Sequence, residues 1–260
     1  MTVYRRQYDV DIIIPGWGNL DLTRRCLASI VANTPGPEYQ VTYIDNGSRT
    51  ALAREGPWAL LAEWPQVQGV CLTFNHGYCR GVNVGLALAN LSPARYVLLL
   101  NNDLEVAGGD VTWLRRLCEA LESDPRNGIA GAMTNEAFAP QWAPRPGMAS
   151  HGVEQVHLLT NFASLLRKEA MRQVGFLDER FEPGNYDDFD YVLRLREAGW
   201  KAVVAKSVWL HHQVHATFKQ QPEEFQRLMK INAVKFAEKW PRERLLALGV
   251  ETVERTERRE

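Results

Sequence analysis

The chain lacks a surplus of charge of either sign: 30 lysines and arginines stand against 31 aspartates and glutamates, a net charge of −1. That balance argues against generic attraction to nucleic acid or to an anionic membrane, while leaving room for a local basic patch. No stretch approaches the roughly 18 consecutive apolar residues of a membrane-spanning helix, so none is expected. Met1 to Tyr8 contain no apolar core of the kind a signal peptide needs. The four cysteines (Cys26, Cys71, Cys79 and Cys118) form no C-x-x-C pair, which argues against a structural zinc site. They read as free thiols of a reducing, cytoplasmic compartment. Internal repeats and low-complexity tracts are missing too. What remains is an ordinary globular composition, 260 residues with 45% apolar and 23% charged. A chain of that size buries a large core without a disulfide or metal, as one large domain or one domain with an appendage.

Residues 9–14, Asp-Val-Asp-Ile-Ile-Ile, predict a strand that stops at a Pro15-Gly16 loop. After Asn19, the positions Leu22, Cys26, Leu27 and Ile30 share one helical face, up to Pro35-Gly36-Pro37. The unit then repeats. Val41–Ile44 is a strand followed by the loop Asp45-Asn46-Gly47-Ser48 and a helix through about Trp64. Val67 to Phe74 is the next strand, and Gly81 to Leu91 a helix carrying Val84, Leu88 and Leu91. Tyr96 to Leu100 is apolar throughout, as expected of a strand buried on both faces. Strands alternating with helices predict a parallel sheet with helical crossovers, in which ligands bind beyond the carboxyl ends of the strands. Pro15-Gly16, Asp45-Asn46-Gly47 and Asn101-Asn102-Asp103 fall at those ends. In the second half, residues 135–155 read as a long loop, a candidate acceptor lid. Leu158 to Arg167 reads as a strand, 187–198 as a helix, Ala202 to Leu210 as a strand and 222–239 as an amphipathic helix. Glu251 to Glu260, nearly all charged or polar, are expected to fray.

Several polar groups carry chemistry. Asp45 has two readings: a carboxylate that accepts hydrogen bonds from a nucleobase or ribose, or the first residue of an Asx turn, for which Asp-Asn-Gly-Ser is suited. Leu98-Leu99-Leu100 deliver Asn101, Asn102 and Asp103 to the sheet edge, with the oxygen ligands that Mg²⁺ and Mn²⁺ share with substrate phosphates. The alternative is a polar strand end capping the next helix. Asp187, Asp188 and Asp190 open a helix; a helix dipole favours acidic residues there, but three in four residues exceed what capping requires. One of them is a candidate general base. His211 and His212 end a strand, with His215 close behind. Strand geometry sends the adjacent pair to opposite faces, so at most one faces a given site.

These stretches, in this order, resemble the family 2 glycosyltransferases, which use nucleotide sugars. The matching segments are Ile12-Ile13-Ile14-Pro15, Tyr43 to Ser48, Asn75 to Leu86, Leu100-Asn101-Asn102-Asp103, Gly175 to Phe181, Asp187-Asp188-Phe189-Asp190 and Leu193 to Trp200. They cover about residues 9–218.

The resemblance implies a GT-A (Rossmann-like) α/β fold, a mostly parallel sheet flanked by helices with a C-terminal helical extension. It implies a catalytic domain over 1–218, with a nucleotide-binding half at about 9–103 and an acceptor-binding half at about 104–218. Residues 219–260 are then an extension rather than an independent domain. By the same resemblance Asp45 meets the nucleobase. Pro15, Gly16, Asn75, Arg80, Asn83 and Asn102 line the nucleotide. Asp103, with Asn101 and one of His212 or His211, holds a divalent metal, Mn²⁺ or Mg²⁺. Asn101 stands where the family often has the first aspartate of its metal motif, which puts strong metal binding in doubt. Asp187 and Asp188 stand at the catalytic Glu-Asp, with Asp188 as the base of an inverting transfer of a hexosyl or deoxyhexosyl group. A UDP- or dTDP-sugar is the implied donor. The acceptor is left open among a glycan, a lipid-linked sugar, a protein and a modified nucleobase, with peripheral membrane contact through Arg5 and Arg6 also open.

Two other readings compete. Pro15-Gly16-Trp17-Gly18 offers the start of a dinucleotide-binding turn for an oxidoreductase. Asp21 occupies its third glycine position, and the next strand-end acid, Asp45, comes 29 residues after Gly16. A sugar-nucleotide-binding module without activity is the other alternative, favoured by Asn101.

Overall fold

The computed structural model describes residues 9–35, 39–48, 56–106, 108–137, 140–147, 152–213 and 222–251. Arg5, Arg6, His215, residues 49–55 of the second expected helix, and 252–260 lie outside the described residues.

The three isoleucines of β1 (Val10–Gly16) separate the layers. Ile12 and Ile14 point into one core and Ile13 into the other, as period-2 alternation requires. β1 pairs in parallel with β2 (Tyr39–Asp45) and β4 (Tyr96–Leu100), and β2 in parallel with β3 (Val67–Cys71). Beyond β4 the sheet is mixed. β8 (Ala163–Arg167) runs antiparallel to β4 and to β6 (Asn127–Thr134). β9 (Lys201–His212) runs parallel to β6 and antiparallel to β5 (Leu104–Val106) and β7 (Val153–Val156). The order is β3-β2-β1-β4-β8-β6-β9-β5, with β7 also on β9. The parallel expectation thus describes the first half. In the second half no helix lies between β6 and β8 among the described residues, and such a return gives an antiparallel neighbour.

On the Ile12/Ile14 side lie α1 (Leu20–Asn33), α2 (Pro57–Ala62) and α4 (Trp113–Glu122). On the Ile13 side lie α3 (Tyr78–Leu91), α5 (Lys168–Val174), α6 (Asp187–Glu197) and part of α7 (Pro222–Lys239), with α8 (Arg242–Ala247) beyond. The expected apolar face of α1 is buried at Leu22, Cys26, Leu27 and Ile30.

α3 packs by a different face from the one expected. Leu88 and Leu91 are exposed, and the buried side is Cys79, Gly81, Val82, Gly85, Leu86 and Ala89. Its glycines decide this: a Cβ on Gly85 would lie 2.2 Å from Ile13 Cγ2, so only glycine lets the helix lie this close to β1. β3 ends at Cys71 rather than Phe74, and residues 158–162 are irregular before β8 begins. The expected loop 135–155 contains the start of β7. β6, rich in glycine and alanine, carries no alternating apolar pattern to read, and β5, α4, α5 and α8 were likewise not anticipated.

The segment before α6 is tied to α7 by one row of side chains. Asn232 Nδ2, fully buried, donates to Phe181 O (2.9 Å) and Gly184 O (2.8 Å). Lys235 Nζ donates to Arg180 O, and Lys239 Nζ reaches Asp178 Oδ2 (2.6 Å) and Asp190 Oδ1 (2.5 Å). Trp240 Nε1 also donates to Asp190 Oδ1 (2.8 Å). Spacings of three, four and seven residues put Asn232, Lys235, Phe236 and Lys239 on one helical face.

Candidate active site

Because β1, β2 and β4 are adjacent and parallel, their carboxyl ends meet at one edge. Pro15 and Gly16, expected in a loop, are instead the last residues of β1, buried in register with Ile44 and Asp45. The absent side chain of Gly16 is what lets the edge close. A Cβ there would lie 2.8 Å from the Tyr43 ring and hydroxyl and 3.0 Å from Asn102 Nδ2. Asn102 Nδ2 donates to Thr23 Oγ1 of α1 (2.9 Å), so Asn102 bridges β4 to that helix.

Asp45 is almost fully buried. Its carboxylate accepts from Ser48 N–H (2.9 Å), Ser48 Oγ (2.5 Å) and Tyr43 OH (3.2 Å), while Ser48 Oγ accepts from Gly18 N–H (2.8 Å). The turn chemistry of Asp-Asn-Gly-Ser is therefore realised, and it also fixes the carboxylate at the strand end. Burial, then the Asp45 charge, pushes the Cys71 thiol up to about 11. Asn46 ties this turn to α3: Nδ2 donates to Gly77 O (2.7 Å) and Asn75 Oδ1 (3.2 Å), and Oδ1 accepts from His76 N–H (3.0 Å). Asn75 thus lies at the edge, against Asn46.

Arg80 and Asn83 of α3 bond the segment before α6. Arg80 Nε bonds Glu179 (3.0 Å), and the Asn83 amide brackets the Leu177 backbone, donating to O (3.0 Å) and accepting from N–H (2.9 Å). Both clamp α3 to the 177–179 segment.

Asn101 Oδ1 accepts from Tyr78 OH (3.3 Å). Asp103 reaches across to β9, where its Oδ1 lies 3.2 Å from His212 Nε2. That oxygen is buried and has no hydrogen-bond partner among the described residues. His212 is positioned from three sides: Asn135 bonds its backbone N–H (2.8 Å) and C=O (3.1 Å), Nδ1 lies 3.4 Å from Glu136 O, and Phe162 stacks on the ring at 5.6 Å. With Nδ1–H assigned toward Glu136 O, the Nε2 lone pair faces Asp103. His211 is exposed on the other face of β9, beside Trp209.

A carboxylate oxygen and an imidazole lone pair turned toward one another suit a divalent cation, and the orphaned Oδ1 fits one. Among the described residues no group of three His, Cys, Asp or Glu is close enough to hold a metal by itself. A cation here would need further ligands from a bound substrate.

Asp187 and Asp188, both buried, begin α6 after three residues with positive φ: Gly184 (131°), Asn185 (74°) and Tyr186 (67°). Asp188 Oδ1 accepts from Phe189 N–H (2.9 Å). Asp190, the third acid, serves the core instead, where Arg194 (2.9 Å), Trp240 and Lys239 bind it. Burial first, and then neighbouring charges led by Asp187, hold the Tyr78 phenol well above the ordinary 10. Tyr78 and Asn46 stood inside the motifs read from sequence without being singled out. Phe162 and Asn135, which set His212, carried no signal.

This sheet and its flanking helices have the GT-A fold of glycosyltransferases. It superposes on GalNAc-T7 in a crystal structure with UDP, GalNAc and Mn²⁺, at a TM-score of 0.65 and 13% identity over 80% of this chain and 44% of that one. It superposes likewise on residues 1–349 of S. aureus TarS in complex with UDP-GlcNAc, at a TM-score of 0.62 and 13% identity over 88% of this chain and 66% of that one. At those identities the likeness is one of fold. Residues 11–176 match the sequence model of glycosyl transferase family 2, and the chain belongs to that family. It is 29% identical over 227 residues to the O-antigen biosynthesis protein RfbC of Myxococcus xanthus, a match covering 78% of this chain and 17% of that protein. The chain thus spans a small part of that relative's length.

Proposed function

We propose that this chain transfers a hexosyl or deoxyhexosyl group from a nucleoside diphosphate sugar to an acceptor, inverting the anomeric centre. The observation that carries the reading is the buried Asp103 Oδ1, without a hydrogen bond among the described residues and 3.2 Å from His212 Nε2, just beyond the end of β4. Asp45 accepts hydrogen bonds from the nucleobase, and Pro15, Gly16, Asn75 and Asn102 shape the floor beneath the nucleotide. Arg80 and Asn83 act indirectly, by holding α3 against residues 177–179. Asp103 and His212, with Asn101 nearby and His211 set aside, would hold Mn²⁺ or Mg²⁺, which when bound supplies positive charge to the leaving diphosphate. Asp188 takes the proton of the attacking acceptor hydroxyl, worth about 10²–10⁴ in rate for a positioned base. Asp187 beside it and the N-terminus of α6 set its electrostatics.

UDP is the favoured nucleotide, since fold neighbours are known with UDP or UDP-GlcNAc. A glycan or lipid-linked sugar is the favoured acceptor, from the name of the M. xanthus relative. The catalytic unit is residues 1–218, and 219–260 is its helical extension. All four cysteines are free, which supports action in a reducing, cytoplasmic setting. No helix of the described residues is long and apolar enough to cross a membrane.

Asp188→Asn tests the base: transfer from a panel of UDP-sugars should fall at least a hundredfold, while calorimetric UDP binding stays close to the parent. Turnover at the parental rate removes Asp188 from the scheme. Asp103→Ala should abolish the Mn²⁺ dependence of UDP binding; UDP affinity that ignores both Mn²⁺ and a chelator would remove the cation. A protein that binds UDP-sugars but turns over none would instead be the inactive binding module that Asn101 suggests.

A further inference from the structure

Asn161 is 5% exposed, and neither its Oδ1 nor its Nδ2 has a hydrogen-bond partner among the described residues. Its surroundings hold it in place. On one side, Thr160 donates from both N–H (2.8 Å) and Oγ1 (2.9 Å) to Gln141 Oε1, and buried Gln141 Nε2 donates to Ala132 O (3.2 Å). On the other, Phe162 O accepts from Asn101 N–H (2.8 Å), and the Phe162 ring stacks on His212. Asn161 therefore sits between two anchors, one residue from the backbone contact to Asn101 and from the ring that sets the Asp103–His212 pair. Native proteins rarely leave both halves of a buried amide unsatisfied, and an apolar side chain would carry no such penalty.

We propose that Asn161 is a sugar-reading residue: its amide binds a pair of neighbouring hydroxyls on a pyranose held beside Asn101 and the Asp103–His212 pair. A carboxamide presents a donor and an acceptor side by side, and each hydroxyl can both give and take a hydrogen bond. A phosphate would satisfy Nδ2 alone and a cation Oδ1 alone, whereas a polyol satisfies both. The inference rests on the sugar-transfer reading. The sugar belongs either to the donor or to the acceptor, and both offer the same chemistry.

The experiment uses the whole protein with Asn161→Leu, and Asn161→Ala in case leucine does not fit. Without ligand, whichever variant packs should melt at or above the parental temperature, because it removes an unpaired buried amide; a lower Tm in both variants would reveal a structural bond and overturn the proposal. With Mn²⁺ present, UDP binding should be unchanged. If the hydroxyls are the donor's, binding of the best of UDP-glucose, UDP-galactose and UDP-GlcNAc weakens by about 10- to 100-fold, the usual effect of losing one or two ligand hydrogen bonds. If they are the acceptor's, donor binding is unchanged and KM for the best of a set of p-nitrophenyl glycosides rises by that factor. Unchanged UDP-sugar binding together with unchanged glycoside KM in both variants overturns the role of Asn161. A parent that binds no UDP and transfers nothing sinks the sugar-transfer reading itself, and does so before any variant is made.

Discussion

At the scale of single residues, close approach rather than bulk decides the site. Gly16 leaves space for the Tyr43 ring and the Asn102 amide, and Gly85 lets Ile13 press into α3. The second contact is backbone-determined, since a branched side chain on the central strand has nowhere to retreat. Gly85→Ala should therefore destabilise the protein by about 1–3 kcal/mol, in the range of overpacked cores, despite alanine's better helix propensity. Thermal denaturation checks it, and an unchanged or higher Tm would mean that α3 moves off β1 at little cost. Buried polar residues divide by the same logic. Asp190 has its charge matched by Arg194 and Lys239 and works in the core, whereas Asp103 Oδ1 and the Asn161 amide have no hydrogen-bond partner among the described residues.

At the scale of elements, α7 and the 178–190 segment form one mechanical unit. Asp178 is its titratable link. Burial pushes its carboxyl up, but hydrogen bonds from Lys239, the Arg180 N–H and the Arg180 side chain outweigh this and hold it below the ordinary 3.8. A carboxylate depressed in the folded state adds stability that is fully present above the unfolded value and fades as pH falls through the folded one. The stability difference between the parent and Asp178→Asn should thus be constant at neutral pH and shrink once pH drops below 3.8. Urea unfolding at a series of pH values measures it; a difference that grows on acidification would contradict the link. Asn232 thus holds Gly184, the first of the positive-φ residues before Asp187 and Asp188, while Lys239 bonds Asp178 and Asp190 on either side of that run.

At the scale of the whole molecule, the two cores lie on opposite faces of one sheet, and the C-terminal helices belong to the second. Phe236, Trp240 and Val250 are buried in the same cluster as Val82, Met171 and Leu193. The buried side chains of this C-terminal segment therefore share the core of the sheet, and unfolding should be cooperative. Differential scanning calorimetry of the full chain should show a single transition; two separated transitions would make the extension an independent domain.

How much of this was legible follows from the range of the forces involved. Local pattern was enough for β1, α1, β2, β4, α6 and α7, because each shows its own period or cap, and the acids at the strand ends could be read from their position after buried runs. The face of α3 could not, because Leu88 and Leu91 look like core until Gly85 is seen against Ile13. β6 could not, because glycine and alanine show no period and its burial comes from neighbours distant in the chain. The direction of Arg80 and Asn83 toward residues 177–179, the choice of His212 over His211 as the neighbour of Asp103, and the stranded amide of Asn161 were decided only by tertiary structure. Sequence alone set which chemical groups the chain carries and where strands deliver them. Which of those groups find partners, and which are left for a ligand, depends on contacts between segments tens of residues apart, and only the packed sheet specifies those.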